Sequence, residues 1–249
     1  MKSNLSKTKL SLFSSLSSRK MRDKNRLFII EGAKGVGDTL GTFPVEAIVV
    51  ENGVEPPFDT SGYTVYECDS KSFKKISTLA APTGLLAVYR YPETIRIPEI
   101  HPNNLYLLLD GIQDPGNLGT IIRTAHWFGI TDIFASSDTV EAFNPKTLQA
   151  SMGSIAKVNV TYCDLAQLIE GTPSMPVYGT LLEGRNLYAE SLPTGAFIVM
   201  GNEGKGISDK VKKLITNPIT IPPCNMENHP ESLNVATATA ITLSRFRHH

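Results

Sequence analysis

The chain has 249 residues, 41% hydrophobic and 19% charged, with a formal net charge of zero. Those values fit a soluble globular protein with one large core or two moderate ones, and they give no overall pull toward nucleic acid. No apolar stretch approaches the roughly 18 residues of a membrane span, and the serines between Leu10 and Leu16 deny the N-terminus a signal-peptide core.

The charge is unevenly distributed. Residues 1–26 hold eight basic side chains (Lys2, Lys7, Lys9, Arg19, Lys20, Arg22, Lys24 and Arg26) against the single acid Asp23, a net of +7, so the remainder carries −7. A basic arm on an acidic body implies a phosphate-rich partner, although a solvated terminus has the same composition. Cys68, Cys163 and Cys224 are far apart and form no metal-ligand spacing, which fits a reducing cytoplasm and no bound metal. The closing His248-His249 pair has no expected role.

In chain order, the serine-rich start retains Leu5, Leu10, Leu12, Phe13 and Leu16, enough for a short docked helix. Strand-like runs follow at 27–30, 47–50, 64–66 and 85–89. Pro92, Pro98 and Pro102 then mark residues 90–103 as an extended linker. Beyond it, strands are expected at 105–109, 132–135, 157–160, 177–181, 196–200 and 219–221, with helices at 117–128, 146–155, 164–170 and 207–215. Apolar strands alternating with helices predict an α/β fold whose parallel sheet is covered on both faces. The run 235–243 alternates with period two, as a strand would. Its alternate residues are alanines and Ser232 can cap it, so it is read as a helix.

Two glycine clusters invite a nucleotide-binding reading. Gly32–Gly37 and Gly201–Gly206 both lack G-x-G-x-x-G, and neither has the Lys-Ser/Thr of a phosphate loop. Turn chemistry is the expectation for 32–37. The second cluster follows the buried-looking run 196–200, where glycines let the backbone approach a ligand. On a helical wheel Leu118, Ile121, Ile122, Ala125 and Phe128 form an apolar stripe from which Arg123 points away.

Three segments form an ordered set: Asn117-Leu-Gly-Thr-Ile-Ile-Arg123, Gly201-Asn-Glu203-Gly-Lys-Gly206, and Ile221-Pro-Pro followed by Ser232-Leu233-Asn234. Together they resemble the SpoU (TrmH-like) branch of the SPOUT RNA methyltransferases. The joint 225–231 is longer than usual for that family, lacks glycine, and contains His229, to which no role is transferred. Residues 18–32 resemble the opening of the family's substrate-binding domain. The resemblance implies a domain of L7Ae/L30e-like α/β fold over 1–98 and a trefoil-knotted catalytic domain over 103–249.

It further implies transfer of a methyl group from S-adenosylmethionine to a ribose 2′-hydroxyl of ribosomal or transfer RNA, by a homodimer. Implied catalytic residues are Asn117, Arg123, Glu203, Ser232 and Asn234. Thr180, Gly201, Asn202, Ile221, Leu233 and Asn234 are implied for the cofactor. Arg19, Lys20, Arg22 and Arg26 are expected to bind RNA. The competing expectation is an RNA-binding protein that keeps the fold without activity. A nucleotide-dependent dehydrogenase is disfavoured, because both the glycine fingerprint and its partner acid are missing.

Overall fold

The computed structural model describes residues 2–92, 98–225 and 227–248. The chain divides into two compact units, one of Met1–Ile95 with Phe143–Ala156, the other of Arg96–Ala142 with Lys157–His249. The division falls in the proline-rich stretch, of which residues 93–97 lie outside the described part. Residues 143–156, expected with the C-terminal domain, are grouped with the first unit.

The first unit begins with β1 (Lys2–Asn4), α1 (Lys7–Ser15), α2 (Arg19–Asn25), β2 (Leu27–Glu31) and α3 (Ala33–Thr39). It continues through β3 (Val45–Glu51), β4 (Val65–Cys68), α4 (Ser70–Ile76) and β5 (Leu85–Arg90). Its five-stranded sheet has the order β1-β4-β3-β5-β2. Here β4 runs parallel to β1 and β3, while β5 runs antiparallel to β2 and β3. Side chains alternate between the two faces of each strand. One face (Leu27, Ile29, Ala47, Val49, Leu86, Val88) packs under Phe13 and Leu16 of the α1 end and Phe73 and Ile76 of α4. On the other, Phe28 stacks on Phe143, with ring centroids 4.4 Å apart, and the Tyr89 hydroxyl meets Thr39 Oγ1 of α3 at 2.7 Å.

Two expectations for this unit are corrected. Gly32–Gly37 is no turn: only Gly32 takes a positive φ, +90°, and from Ala33 the chain is helical. Gly35 and Gly37 sit inside α3 because it lies close to neighbours, an added Cβ at Gly35 falling 3.1 Å from Ile30 Cγ2. Arg22, expected to bind RNA, is 2% exposed. Its Nη1 donates to the carbonyls of Leu16 and Ser17, each at 2.8 Å, closing the C-terminal end of α1. A cation there satisfies carbonyls that the helix leaves without partners. Burial pushes the Arg22 guanidinium pKa down, against the neighbouring charges of Tyr91 and Asp23. Arg19 and Lys20 are exposed, Arg19 beside Asp23 at 3.6 Å. Arg26 is also exposed, but its guanidinium lies 4.9 Å over the Tyr91 ring and Nη2 donates to Pro92 O at 3.1 Å.

After the linker come β6 (Leu105–Asp110), α5 (Pro115–Trp127), β7 (Asp132–Ala135) and α6 (Pro145–Ser151, grouped with the first unit). They are followed by β8 (Asn159–Tyr162), α7 (Leu165–Glu170), β9 (Val177–Asn186), β10 (Ala196–Gly201), α8 (Asp209–Lys212), β11 (Asn217–Thr220) and α9 (Val235–Arg247). The six-stranded sheet β11-β9-β10-β6-β7-β8 is parallel throughout, as the apolar runs predict. One face, including Tyr106, Leu108, Phe197 and Val199, packs against Leu165 and Ile169 of α7 and Val211 of α8. Register puts Leu107, Ile198 and Tyr178 on the opposite face, where Tyr178 meets Phe246 of α9 edge-on at 5.1 Å. The helix expected at 146–155 ends earlier: Met152 and Gly153 turn to positive φ and a single 3-10 turn follows. The helix expected at 207–215 shrinks to α8.

Arg22→Ala leaves two carbonyls without their donor and opens a cavity at the α1–α2 junction. We expect a loss of roughly 3 kcal/mol, a drop in Tm on the order of 10 °C. Thermal melts of the two proteins side by side check this, and an unchanged Tm would return Arg22 to the solvated arm.

Candidate active site

The site lies at the carboxyl ends of the parallel strands, where loops of an open sheet meet. β6 ends in Asp110, buried beneath the loop with its Oδ2 accepting Ser208 N–H at 2.7 Å. Gly111 follows at φ +74°, reversing the chain toward Asp114. Asp114 caps α5: its Oδ1 accepts Asn117 N–H at 2.7 Å, and Pro115 occupies the first turn without needing a donor. This cap fixes where Asn117 leaves the helix.

Asn117 is the central link. Its Nδ2 donates to Glu203 Oε1 at 2.8 Å, and its Oδ1 accepts from Asn234 Nδ2 at 2.9 Å. Asn234 in turn caps α9, its Oδ1 accepting Ala236 and Thr237 N–H at 2.9 and 3.2 Å. One chain of hydrogen bonds thus joins all three sequence segments. Because Asn117 donates to a carboxylate oxygen, the first bond is of the charge-assisted class.

The turn after β10 is built from backbone. Asn202 and Gly206 exchange paired N–H···O=C bonds at 3.0 and 2.9 Å, and Asn202 Oδ1 accepts Gly204 and Lys205 N–H, both at 2.9 Å. Asn202 Nδ2 reaches Gly111 O at 2.6 Å, tying this turn to the end of β6. Asn202 is therefore consumed by the turn through both its side chain and its backbone. At Gly201 an added Cβ would fall 2.4 Å from Gly206 C and Ile207 N. Thr180 Oγ1 donates to Val199 O at 3.1 Å, pinning β9 to β10. Ile221 is half-buried, Ser232 is exposed, and Leu233 stands 48% exposed.

Arg123 follows Asn117 on α5 and is exposed, with no hydrogen bond or ion pair to a described residue. The buried stripe of α5 holds Leu118, Gly119, Ile121, Ile122 and Ala125, which leaves Arg123 on its outer side. Asn117, Glu203 and Asn234 are brought together; Arg123 and Ser232 stand outside their hydrogen-bond chain. Sequence reading missed Asp110, Gly111 and Ser136, whose Oγ accepts Gly111 N–H at 2.8 Å. The Asp-Gly step after an apolar strand was the available signal. Two hollows open in this unit, one away from the hydrogen-bonded set and one beside Asp110. One, of 510 Å³, runs along α9 beside Tyr188 and Ile241; the other, of 240 Å³, lies between Asp110, Ser136, Asp164 and Lys210.

Gly201→Ala forces the 201–206 turn off the end of β10, since the clashing atoms are backbone. A cost of roughly 1–3 kcal/mol is expected in thermal melts. Gly204→Ala, whose nearest neighbour is 3.7 Å away, is the control and should be nearly neutral. Equal effects at the two positions would show that close approach at Gly201 is unimportant.

The family model described as SpoU rRNA Methylase family matches residues 104–244, and that of an MRM3-like substrate binding domain matches 8–87. The chain is 31% identical to the 23S rRNA (guanosine(2553)-2'-O)-methyltransferase RlmP of Bacillus subtilis, over 93% of both proteins. Among solved structures, a TrmH-family protein from Porphyromonas gingivalis is 40% identical with a TM-score of 0.84, covering 98% of each chain. An AdoMet-bound rRNA methyltransferase from Sinorhizobium meliloti is 26% identical with a TM-score of 0.85, covering 98% of this chain and 97% of that one. With the matched methylase region spanning more than half the sequence, the chain belongs to the SpoU rRNA methylase family.

Proposed function

We propose that this protein is an S-adenosylmethionine-dependent RNA 2′-O-methyltransferase acting on ribosomal RNA. The observation that carries the reading is the hydrogen-bonded set Asn117, Glu203 and Asn234 with Arg123 exposed farther along the same helix. An RNA-binding protein without activity would leave that set without a role. The residues present suit the cofactor: Gly201 ends β10, Ile221 follows the end of β11, Leu233 offers an exposed apolar face, and Asn202 braces the turn beside them. S-adenosylmethionine, when bound, supplies an electrophilic methyl group whose transfer demands alignment more than added chemistry.

The chain's own task is to prepare the ribose hydroxyl, a poor nucleophile at neutral pH. Arg123 presents a planar fork of donors suited to the phosphate beside the target ribose, and its charge stabilises the hydroxyl oxygen as its proton leaves. Asn117 and Asn234 hold Glu203 in place, and Ser232 lies in the loop leading into the α9 cap. The reading extends to a homodimer, for which the exposed aromatic side chains of Trp127 on α5 and Tyr188, 84% and 54% exposed, offer apolar surface. It extends also to a knotted C-terminal segment, with β9 lying between β10 and β11 and α9 returning to pack against α5. The reading extends to a cytoplasmic setting, which a ribosomal RNA substrate and the three unpaired cysteines suit.

Arg123→Ala should slow single-turnover methylation of unmodified rRNA on the order of a hundredfold, with S-adenosylhomocysteine affinity retained. Arg123→Lys should recover little, because a point charge lacks the fork. Near-wild-type turnover in the alanine variant would remove Arg123 from the chemistry.

Asn234→Asp separates two roles of one side chain. A carboxylate keeps the α9 cap but offers Asn117 no donor and faces Glu203 with like charge. Turnover should fall about tenfold with Tm nearly unchanged. A large fall in Tm with turnover per folded molecule intact would make the residue a cap alone.

A further inference from the structure

The basic arm read from sequence loses Arg22 to the interior, yet the fold adds charge from elsewhere. β1 and β4 are adjacent and parallel, Asn4 aligned with Glu67, so α1 and α4 start from the same end of the sheet. The two helices then pack against the same apolar face through Phe13, Leu16, Phe73 and Ile76. α2 is tied to the end of α1 by the Arg22 bonds to Leu16 and Ser17. These three helices carry nine basic residues and one acid, Asp23. Lys9 is neutralised by Glu46 at 2.8 Å and Arg19 faces Asp23. Lys7, Lys20, Lys24, Lys71, Lys74 and Lys75 are all exposed, with no ion pair to a described residue.

The opposite face of the same sheet is different. There α3 carries Lys34 and Asp38, paired at 2.8 Å, and Phe28 stacks on Phe143. The exposed lysines of α1 and α4 thus lie on one side of this sheet, with α2 beside Tyr91 at the end of α1. The nearby acid Asp69 accepts Ser72 N–H at 2.7 Å as the α4 cap, and that bond, ahead of Lys71 and Lys75, holds its carboxyl below the usual range.

We propose that the α1–α4 face, with Lys71, Lys74 and Lys75 as its centre, is a phosphate-backbone docking surface for the RNA substrate. It rests on the reading of the chain as an RNA methyltransferase, and it moves the contact from the Arg19–Arg26 arm to a surface assembled from two distant segments. Clustered, exposed, unpaired lysines on short helices suit a polyanion read by charge and spacing, without base specificity. Their release of counterions makes binding steeply dependent on salt.

The test uses the full chain and an unmodified large-subunit rRNA transcript, with binding followed across a series of salt concentrations. The triple variant Lys71→Ala, Lys74→Ala, Lys75→Ala should weaken binding by about tenfold or more at low salt. Its log–log salt slope should flatten by roughly 0.7–0.9 for each lost contact. Alanine is favourable in helices, and a melt confirms folding; the triple glutamine variant replaces it if the melt shifts. Lys34→Ala, from the opposite face, should leave the slope unchanged. An unaltered slope in the triple variant, or an equal loss from Lys34→Ala, overturns the proposal. If the wild-type chain binds S-adenosylhomocysteine and methylates the transcript while the triple variant keeps its slope, the surface fails alone. If the wild type does neither, the methyltransferase reading fails first.

Discussion

Asn117 holds the active region together. It receives an N–H···O bond from the Asn234 amide and gives one to Glu203, bridging loops 86 and 117 residues away in sequence. A neutral amide suits this position because it donates from one atom and accepts at another, whereas an ionised carboxylate only accepts. Each neighbour is itself anchored to backbone: Asn117 begins near the Asp114 cap, Asn234 caps α9, and Glu203 lies in the turn braced by Asn202. The network is thus fixed by helix starts and a strand end, elements whose positions the core determines. Side chains so supported keep their geometry without substrate, and that preorganisation is what alignment-limited chemistry requires.

The parallel sheet explains why this is possible. All six strands point the same way, so their carboxyl ends converge on one edge. Both sheet faces are sealed, by α7 and α8 on one side and by α9 against Tyr178 on the other. Polar groups are left to the loops, where Asp110, Ser136 and Asn202 satisfy the backbone of Gly111 and Ser208. The first unit divides its labour between faces in a similar manner, with aromatic stacking on one and exposed lysines on the other.

Much of this was legible in the sequence, for reasons that particular residues make clear. The strands were visible because burial on both faces demands unbroken apolar runs, as in Leu105–Leu109 and Ala196–Met200. The α9 helix was recovered against its own alternating pattern: Asn234, rather than Ser232, supplies the cap, and Thr239 Oγ1 turns back to Val235 O at 2.7 Å. Other features were hidden because they are tertiary. Nothing local distinguishes Arg22 from Arg19, and only the meeting of α2 with the end of α1 buries it. Gly35 and Gly37 looked like turn residues, yet they serve close helix packing. The lysines of α4 gave no signal as part of a basic patch, because their neighbours in space lie some sixty residues earlier.

The central claim is that this arrangement directs a methyl group to a ribose oxygen. The most direct measurement incubates the purified protein with unmodified large-subunit rRNA and S-adenosylmethionine carrying a labelled methyl group. The RNA is then digested to nucleosides and the labelled product identified. The account predicts label in a 2′-O-methylnucleoside at a single position, resistant to alkaline cleavage of the adjoining phosphodiester. Label on a base, or none transferred by a protein that binds both cofactor and RNA, would contradict it.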